Sequence, residues 1–476
     1  MLRKNFIAGQ WVESSDVNQD INPADIGDTV GLFASATTGQ IDDAIAAAAA
    51  AFPDWSLSSP ELRGDCLDRV GTELLARSDE LGTLLAREEG KTLVEAKGEV
   101  IRAGRVFKFF AGEAVRLNGD VLASVRKGVD VEVRREPEGV VGIITPWNFP
   151  IAIPAWKIAP ALAFGNCVVF KPAGQVPASA WALAEILSRS GLPEGVFNLV
   201  GGPGRLVGNR LVESSLVRAI SFTGSVETGR AIAGALVARG AKFQLEMGGK
   251  NPLVVLDDAD LQTAVECAIN GAFYSTGQRC TASSRLIVQD GIHDRFVAAM
   301  KKRMQTLQVG NPLDPKTDIG PVIDDTQLRQ NLSYIELARA EGANIFGGEQ
   351  LELNRQGHFM APAMLLDSTN TMRANREEIF GPVAGVIRVR DYEEALAVAN
   401  DTDFGLSSGI CTTSLKYATD FKRKSGAGMV MVNLPTAGVD YHAPFGGRKG
   451  SSHGPREQGT YAREFYTAVK TVYVQP

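Results

Sequence analysis

Residues 140–171 read VVGIITPWNFPIAIPAWKIAPALAFGNCVVFK, and this stretch decides the fold. The apolar run Val140–Ile144 has the length of a buried strand, a helical segment follows near Pro154–Phe164, and Cys167–Phe170 is a second short apolar run. The rhythm continues downstream. A helix over Pro177–Ser188, a strand at Val196–Val200, a helix from Gly204, a strand at Ala219–Phe222, a helix from Val226 and a strand at Phe243–Glu246 complete the series. Strands alternating with helices imply a parallel sheet covered on both faces. A second series starts at Pro252–Leu256 and runs past Asn433, with helices near Leu261–Phe273, Asp294–Leu307 and Thr326–Glu341. The expected fold class is α/β with two open-sheet, Rossmann-like domains.

Upstream, apolar residues recur at three and four over Leu62–Arg77 and Thr92–Arg116, and Ala44–Ala51 continues a helical pattern opened by Thr38. The first hundred residues therefore read as mostly helical. Val121–Glu136 and the tail Phe465–Val474 have strand chemistry outside the βαβ rhythm. They read as a small β-arm used in oligomerisation, or equally as an intramolecular hairpin.

The 476 residues exceed what one hydrophobic core serves, so two or three domains are expected. With 44% hydrophobic and 22% charged residues the chain is an ordinary globular protein, and a net charge of -6 argues against a nucleic-acid partner. Met1–Phe6 carries basic residues without the apolar run of a signal peptide, and no apolar stretch has membrane-spanning length, so the expectation is a cytoplasmic protein with no membrane partner. Cys66, Cys167, Cys267, Cys280 and Cys411 are odd in number and contain no CxxC pair, and the four histidines are scattered. Neither a disulfide framework nor a metal site is expected.

Cys280 alone among the cysteines lies in a polar, Gly-containing loop beside cationic side chains, Ser275-Thr276-Gly277-Gln278-Arg279-Cys280-Thr281 through Arg285. That environment lowers a thiol pKa and exposes the sulfur. A lone cysteine is as often a small buried hydrophobe, so the local sequence leaves the two readings balanced. Glu246 ends a strand before Gly248-Gly249, at the carboxyl edge where open α/β sheets bind ligands, although an exposed Glu before a turn has the same local sequence. Phe222-Thr223-Gly224-Ser225-Val226 passes from strand through glycine into helix, which offers backbone N–H groups to a phosphate, as an ordinary βα turn also would. Two prolines stiffen Thr145-Pro146-Trp147-Asn148-Phe149-Pro150, fixing the Asn148 amide as an oxyanion donor or merely making a turn. Lys171 places a cation, or a solvated side chain, at the end of the next strand.

Taken together, Pro146–Pro150, Phe222–Ser225, Leu245–Lys250, Gly277–Cys280, Glu377–Pro382 and Pro444–Gly447 resemble the aldehyde dehydrogenase superfamily along nearly the whole chain. Chance agreement of all six in order is negligible. The resemblance implies an NAD(P)-binding domain over 1–120 and 140–250, a catalytic domain over 251–445 and an oligomerisation β-arm over 121–139 and 460–476. It implies that Cys280 attacks an aldehyde carbon, that Asn148 and the Cys280 N–H hold the oxyanion, that Glu246 activates the hydrolytic water and that Glu457 relays protons. For NADP or NAD it implies a wall of Ile144, Thr145, Pro146, Trp147, Lys171, Ala173, Gly174, Gly204, Phe222, Thr223, Gly224 and Ser225, with Glu378 and Phe380 at the nicotinamide ribose. Many NAD-preferring relatives carry a Glu where this chain has Gly174, so tolerance of a 2′-phosphate is expected.

Within the superfamily, Ser275–Thr281, Ala437-Gly438-Val439 and Gly454–Gly459 are similar to the 2,5-dioxopentanoate (α-ketoglutaric semialdehyde) dehydrogenases. An acidic aldehyde needs a cation in its tunnel, and the resemblance offers Arg102 first and Arg279 second, with Phe149, Trp156, Thr281 and Phe445 as tunnel wall. Succinate or glutarate semialdehyde and a broad aldehyde range remain open, as does assembly as a homodimer or a homotetramer. Transfer of the acyl group to coenzyme A is disfavoured by Glu246. A non-catalytic protein on the same fold is disfavoured by the retention of Cys280, Glu246 and Asn148.

Overall fold

The computed structural model describes residues 2–476. Two large open sheets organise it. In the first, the strands run in the order Ser452–His453, Lys242–Glu246, Val217–Thr223, Val140–Ile144, Cys167–Lys171, Phe197–Leu199, Asn5–Ile7 and Gln10–Val12. The five central strands are parallel, as the alternation requires, and the strand Val140–Ile144 is buried throughout. The second sheet runs Asn344–Gly347, Ala363–Leu366, Val383–Val389, Ser283–Gln289, Asn251–Val255, Ser407–Cys411 and Met429–Val432, parallel except at its first pairing.

Register aligns the carboxyl ends that matter. Ile144 pairs with Lys171 on one side and Phe222 on the other, and Thr223 pairs with Glu246. Five residues expected at the ligand site are thus brought to one edge of one sheet.

The helices at Pro177–Ser188 and Leu261–Phe273 have the expected bounds, and those at Ala152–Ala163 and Asp290–Met304 lie within a few residues of theirs. Leu93–Ala114 begins with a capping box, in which the Thr92 side chain accepts from Glu95 N while the Glu95 side chain accepts from Thr92 N. That start fixes where Glu95 and its face of the helix point.

The structure departs from the sequence reading in two places. Residues 2–34 contain five strands, not helix: Asn5–Ile7 and Gln10–Val12 extend the first sheet antiparallel, while Leu2–Arg3, Val17–Ile21 and Thr29–Ala34 form a small sheet. These strands are short, and the pairing that docks them on the first sheet, Phe6 with Leu199, joins residues far apart in the chain. Ser452–His453 returns from beyond the second sheet to pair with Lys242–Glu246. Asp130–Pro137 pairs antiparallel with Thr467–Val474 and with Asp120–Ala123 inside the same chain, making a three-stranded sheet from the two segments whose strand chemistry lay outside the βαβ rhythm. Its Val121, Leu122, Val469 and Tyr473 are exposed. No helix among the described residues is long and apolar enough to cross a membrane.

Candidate active site

A cleft of about 1000 Å³ opens along the carboxyl edge of the first sheet. Ile144, Thr145, Pro146, Trp147, Lys171, Ala173, Gly174, Gly204, Phe222, Thr223, Gly224 and Ser225 all line it. Two helix N-termini reach it, at Gly204 and at Ser225, whose side chain caps Val226–Ala238 by accepting from Thr228 N. Paired helix starts offer unpartnered N–H groups, which suits the two phosphates of a dinucleotide. Lys171 stands beside them with no carboxylate partner among the described residues, and burial pushes its pKa down to about 8. A buried, unpaired ammonium beside two helix starts fits an anionic ligand. Sequence reasoning missed Val17 and Asn18, on an unforeseen N-terminal strand, and Ser35, just after another, which reach the same cleft.

Glu378 and Phe380 lie next to this cleft, not within its wall. Glu378 Oε1 accepts from Gly249 N at 2.9 Å, and burial raises its pKa to about 7. Phe380 packs edge-on against Trp147 with ring centroids 5.4 Å apart.

A second cavity, a tunnel of about 370 Å³, has Cys280 in its wall. Arg102, Phe149, Trp156, Arg279, Thr281 and Phe445 line it, which is every substrate position expected from the sequence. Trp156 stacks on Phe445 at 5.5 Å. The turn 145–150 divides the two cavities, because Thr145, Pro146 and Trp147 face the cleft while Phe149 faces the tunnel. Asn148 sits between them, buried, its Nδ2 donating to Gln278 O at 2.9 Å. One amide hydrogen is thereby spent on orientation and the other stays free.

The surroundings of Cys280 correct one expectation. The neighbouring cations do not face the sulfur: Arg279 pairs with Glu95, and Arg285 donates to Lys250 O, Val398 O and Ala399 O. Burial, with Glu378 and Glu246 nearby, pushes the thiol pKa up, and its own backbone N–H is the group that favours the thiolate. The carbonyl of Cys280 is fixed by Asn251 Nδ2 at 2.7 Å.

Glu246 is buried at the strand end, and its Oε2 accepts from Ser452 Oγ at 2.5 Å. Burial first and Glu457 second hold its pKa well above the usual carboxylate range, against the opposing pull of Ser452, Lys157 and Arg456. Gly446 makes room for it, since a Cβ there would stand 2.7 Å from Glu246 Oε1. Glu457 is also buried, ion-paired with Lys157, with Ser221 Oγ donating to the same oxygen at 3.4 Å. Its Oε2 has no partner among the described residues. Sequence reading found the carboxylates but not Lys157, Ser452 or Gly446, whose approach depends on long-range folding.

A doubly sheeted α/β chain whose nucleotide-sized cleft adjoins a tunnel ending on a thiol defines a dinucleotide-dependent oxidoreductase. The model of the aldehyde dehydrogenase family matches residues 11–472. The chain is 46% identical to the alpha-ketoglutaric semialdehyde dehydrogenase of Bacillus subtilis over 477 residues, covering 99% of this chain and 98% of the relative. It is 40% identical to the 2,5-dioxopentanoate dehydrogenase of Saccharolobus solfataricus over 472 residues, 98% of each chain. Its fold superposes on Staphylococcus aureus betaine aldehyde dehydrogenase in complex with NAD+ with a TM-score of 0.97 at 34% identity, covering 99% and 95% of the two chains. An NADP dependent enzyme of E. coli matches with a TM-score of 0.96 at 36% identity over 100% and 98%. This chain belongs to the aldehyde dehydrogenase family.

Proposed function

We propose that the protein oxidises 2,5-dioxopentanoate to 2-oxoglutarate, using NADP or NAD and a thioester on Cys280. The observation that carries this reading is Arg102, a cation in the aromatic tunnel that leads to Cys280 and has no carboxylate partner among the described residues. A buried guanidinium without a counterion is costly, and a substrate carboxylate would supply that counterion. The similarity to the two semialdehyde dehydrogenases supports the same substrate.

The Cys280 thiol releases its proton to solvent as the sulfur adds to the aldehyde carbon, and the oxygen that becomes an anion is met by Asn148 Nδ2 and the Cys280 N–H. A nicotinamide nucleotide held in the cleft by Lys171 and the helix starts at Gly204 and Ser225 would supply the hydride acceptor for this oxidation. Glu246 then takes a proton from a water that attacks the thioester, releasing the carboxylate and restoring the thiol. Glu457, held by Lys157, passes that proton outward. Burial and the Glu457 charge raise the Glu246 pKa, which makes its carboxylate a stronger base for this step. Gly174, which lines the same cleft with open space around it, would leave room for a 2′-phosphate on that nucleotide. We also assign the three-stranded sheet, with its exposed apolar side chains, to the contact between copies in a homo-oligomer.

The test is kcat/KM for 2,5-dioxopentanoate, succinic semialdehyde and an uncharged aldehyde, followed as nucleotide reduction without coenzyme A. Preference for the five-carbon acid is expected. Equal values for charged and uncharged aldehydes would sink the assignment.

A further inference from the structure

The helix Leu93–Ala114 contributes Glu95, Gly98, Glu99 and Arg102 to the tunnel, a single face at helical spacing. Two of these side chains reach past the tunnel to the backbones that carry Cys280 and Asn148. Glu95 Oε1 accepts from Ser275 N at 2.8 Å, from Ser275 Oγ at 2.9 Å and from Arg279 Nη2 at 2.9 Å. These bonds hold the segment just before Cys280, where Ser275 and Thr276 have φ of 51° and 56°. Non-glycine residues occupy that region only when their surroundings impose it.

Glu99 performs the matching task on the other side. Its Oε1 accepts from Ile151 N at 2.9 Å and Ala152 N at 3.0 Å, capping from outside a helix that has no side-chain cap of its own. Its Oε2 accepts from Lys91 Nζ at 2.6 Å, and Lys91 Nζ donates onward to Asn148 O at 2.6 Å while lying 3.8 Å from the centre of the Phe149 ring. Lys91 and Glu99 are each 1% exposed at the side chain. Burying such a pair is expensive, and here it is spent on fixing one turn.

We propose that Lys91, Glu95 and Glu99 are positioning residues that set the separation between the Cys280 sulfur and the Asn148 amide. Glu95 fixes the loop that carries the thiol. Lys91 and Glu99 fix the turn that carries the amide, and one rigid helix joins the two. The inference rests on the reading of Cys280 as the nucleophile and Asn148 as the oxyanion donor. A misplacement of about 1 Å between such groups costs about 100-fold in rate, so a rigid link between them is worth its burial.

The experiment is a double-mutant cycle on the full chain with saturating nucleotide, measuring kcat, the rate of the first turnover, KM for the nucleotide and Tm. Glu99→Gln, which retains the acceptor for Ile151 and Ala152 but loses the charge that holds Lys91, is expected to slow the first turnover roughly 10- to 100-fold. KM for the nucleotide should not change, as when an interaction made only in the transition state is lost. In an Asn148→Ala background the same substitution should add nothing, because there is no amide left to misplace. An equal loss in both backgrounds, or a loss confined to KM or Tm, overturns the proposal while leaving the roles of Cys280 and Asn148 intact. Wild-type turnover in Asn148→Ala overturns the underlying reading, and the proposal with it. Should Glu99→Gln fail to fold, Glu95→Gln, at a less deeply buried position, is read through the same cycle with the same outcomes.

Discussion

Arg279 is ion-paired to Glu95 at 2.9 Å, so it faces the tunnel with its charge already neutralised. Arg102 differs: its Nη2 donates to the neutral Gln458 Oε1 at 3.0 Å, its guanidinium lies 5.6 Å from the Trp156 ring centre, and its Nε has no partner among the described residues. Only Arg102 has charge and donors to spare for a substrate carboxylate. Arg102→Ala should therefore lower kcat/KM for 2,5-dioxopentanoate by roughly 10- to 100-fold, the value of a charge-assisted hydrogen bond, and leave an uncharged aldehyde little affected. Arg279→Ala should slow both substrates alike, because it frees the loop before Cys280. An unchanged ratio in Arg102→Ala would remove that residue from the account.

Gly174 lines the cleft beside Lys171, and a Cβ built there meets nothing within 4 Å. Its carbonyl is held by Asn18 Nδ2 at 2.6 Å, so the backbone is already fixed. Gly174→Glu should thus insert a carboxylate without disturbing the fold. Placed near the adenosine ribose it would repel a 2′-phosphate, and kcat/KM with NADP should fall by at least about tenfold while that with NAD holds or improves. A parallel change for both nucleotides would show that position 174 does not read the ribose.

Much of this site was legible because its parts are local. Strand, turn and helix signals placed Asn148, Lys171, Ser225 and Glu246 at strand ends, and the parallel register then gathered those ends on one edge. The thiol was misread for a physical reason: cations adjacent in sequence lower a pKa only if their charge reaches the sulfur. Arg279 and Arg285 are engaged elsewhere, and the carboxylates that do reach Cys280 come from positions 378, 246 and 457. Lys91, Lys157 and Ser452 were invisible for a related reason. Each meets its functional partner across more than fifty residues, and nothing in the local sequence records the encounter.

Glu246 should matter after the redox step and not before it. Glu246→Gln keeps the size of the side chain and a hydrogen-bonding partner for Ser452, but removes the base. One rapid turnover should still reduce about one nucleotide per site, after which the acyl group stays on Cys280 and steady turnover falls by 100-fold or more, roughly the contribution of a general base. Mass spectrometry of the quenched enzyme should find the acyl adduct on Cys280. Absence of both burst and adduct would assign Glu246 to the first step instead.

The Ser452 hydroxyl donates to Glu246 Oε2 at 2.5 Å and so favours the charged carboxylate, opposing the burial and the Glu457 charge that raise its pKa. An acid with a raised pKa gains its basic form as pH rises, so thioester hydrolysis should accelerate with pH through that pKa. Removing the hydroxyl in Ser452→Ala takes away a contact that favours the charged form, and the pKa must move further up. A hydrogen bond of about 1–1.5 kcal/mol corresponds to a displacement of roughly one pH unit. The midpoint of the deacylation profile, measured by single turnover of acyl-enzyme, should shift upward by that amount with the high-pH plateau unchanged. A midpoint that stays in place, or moves to lower pH, would mean that the group titrating in hydrolysis is not Glu246.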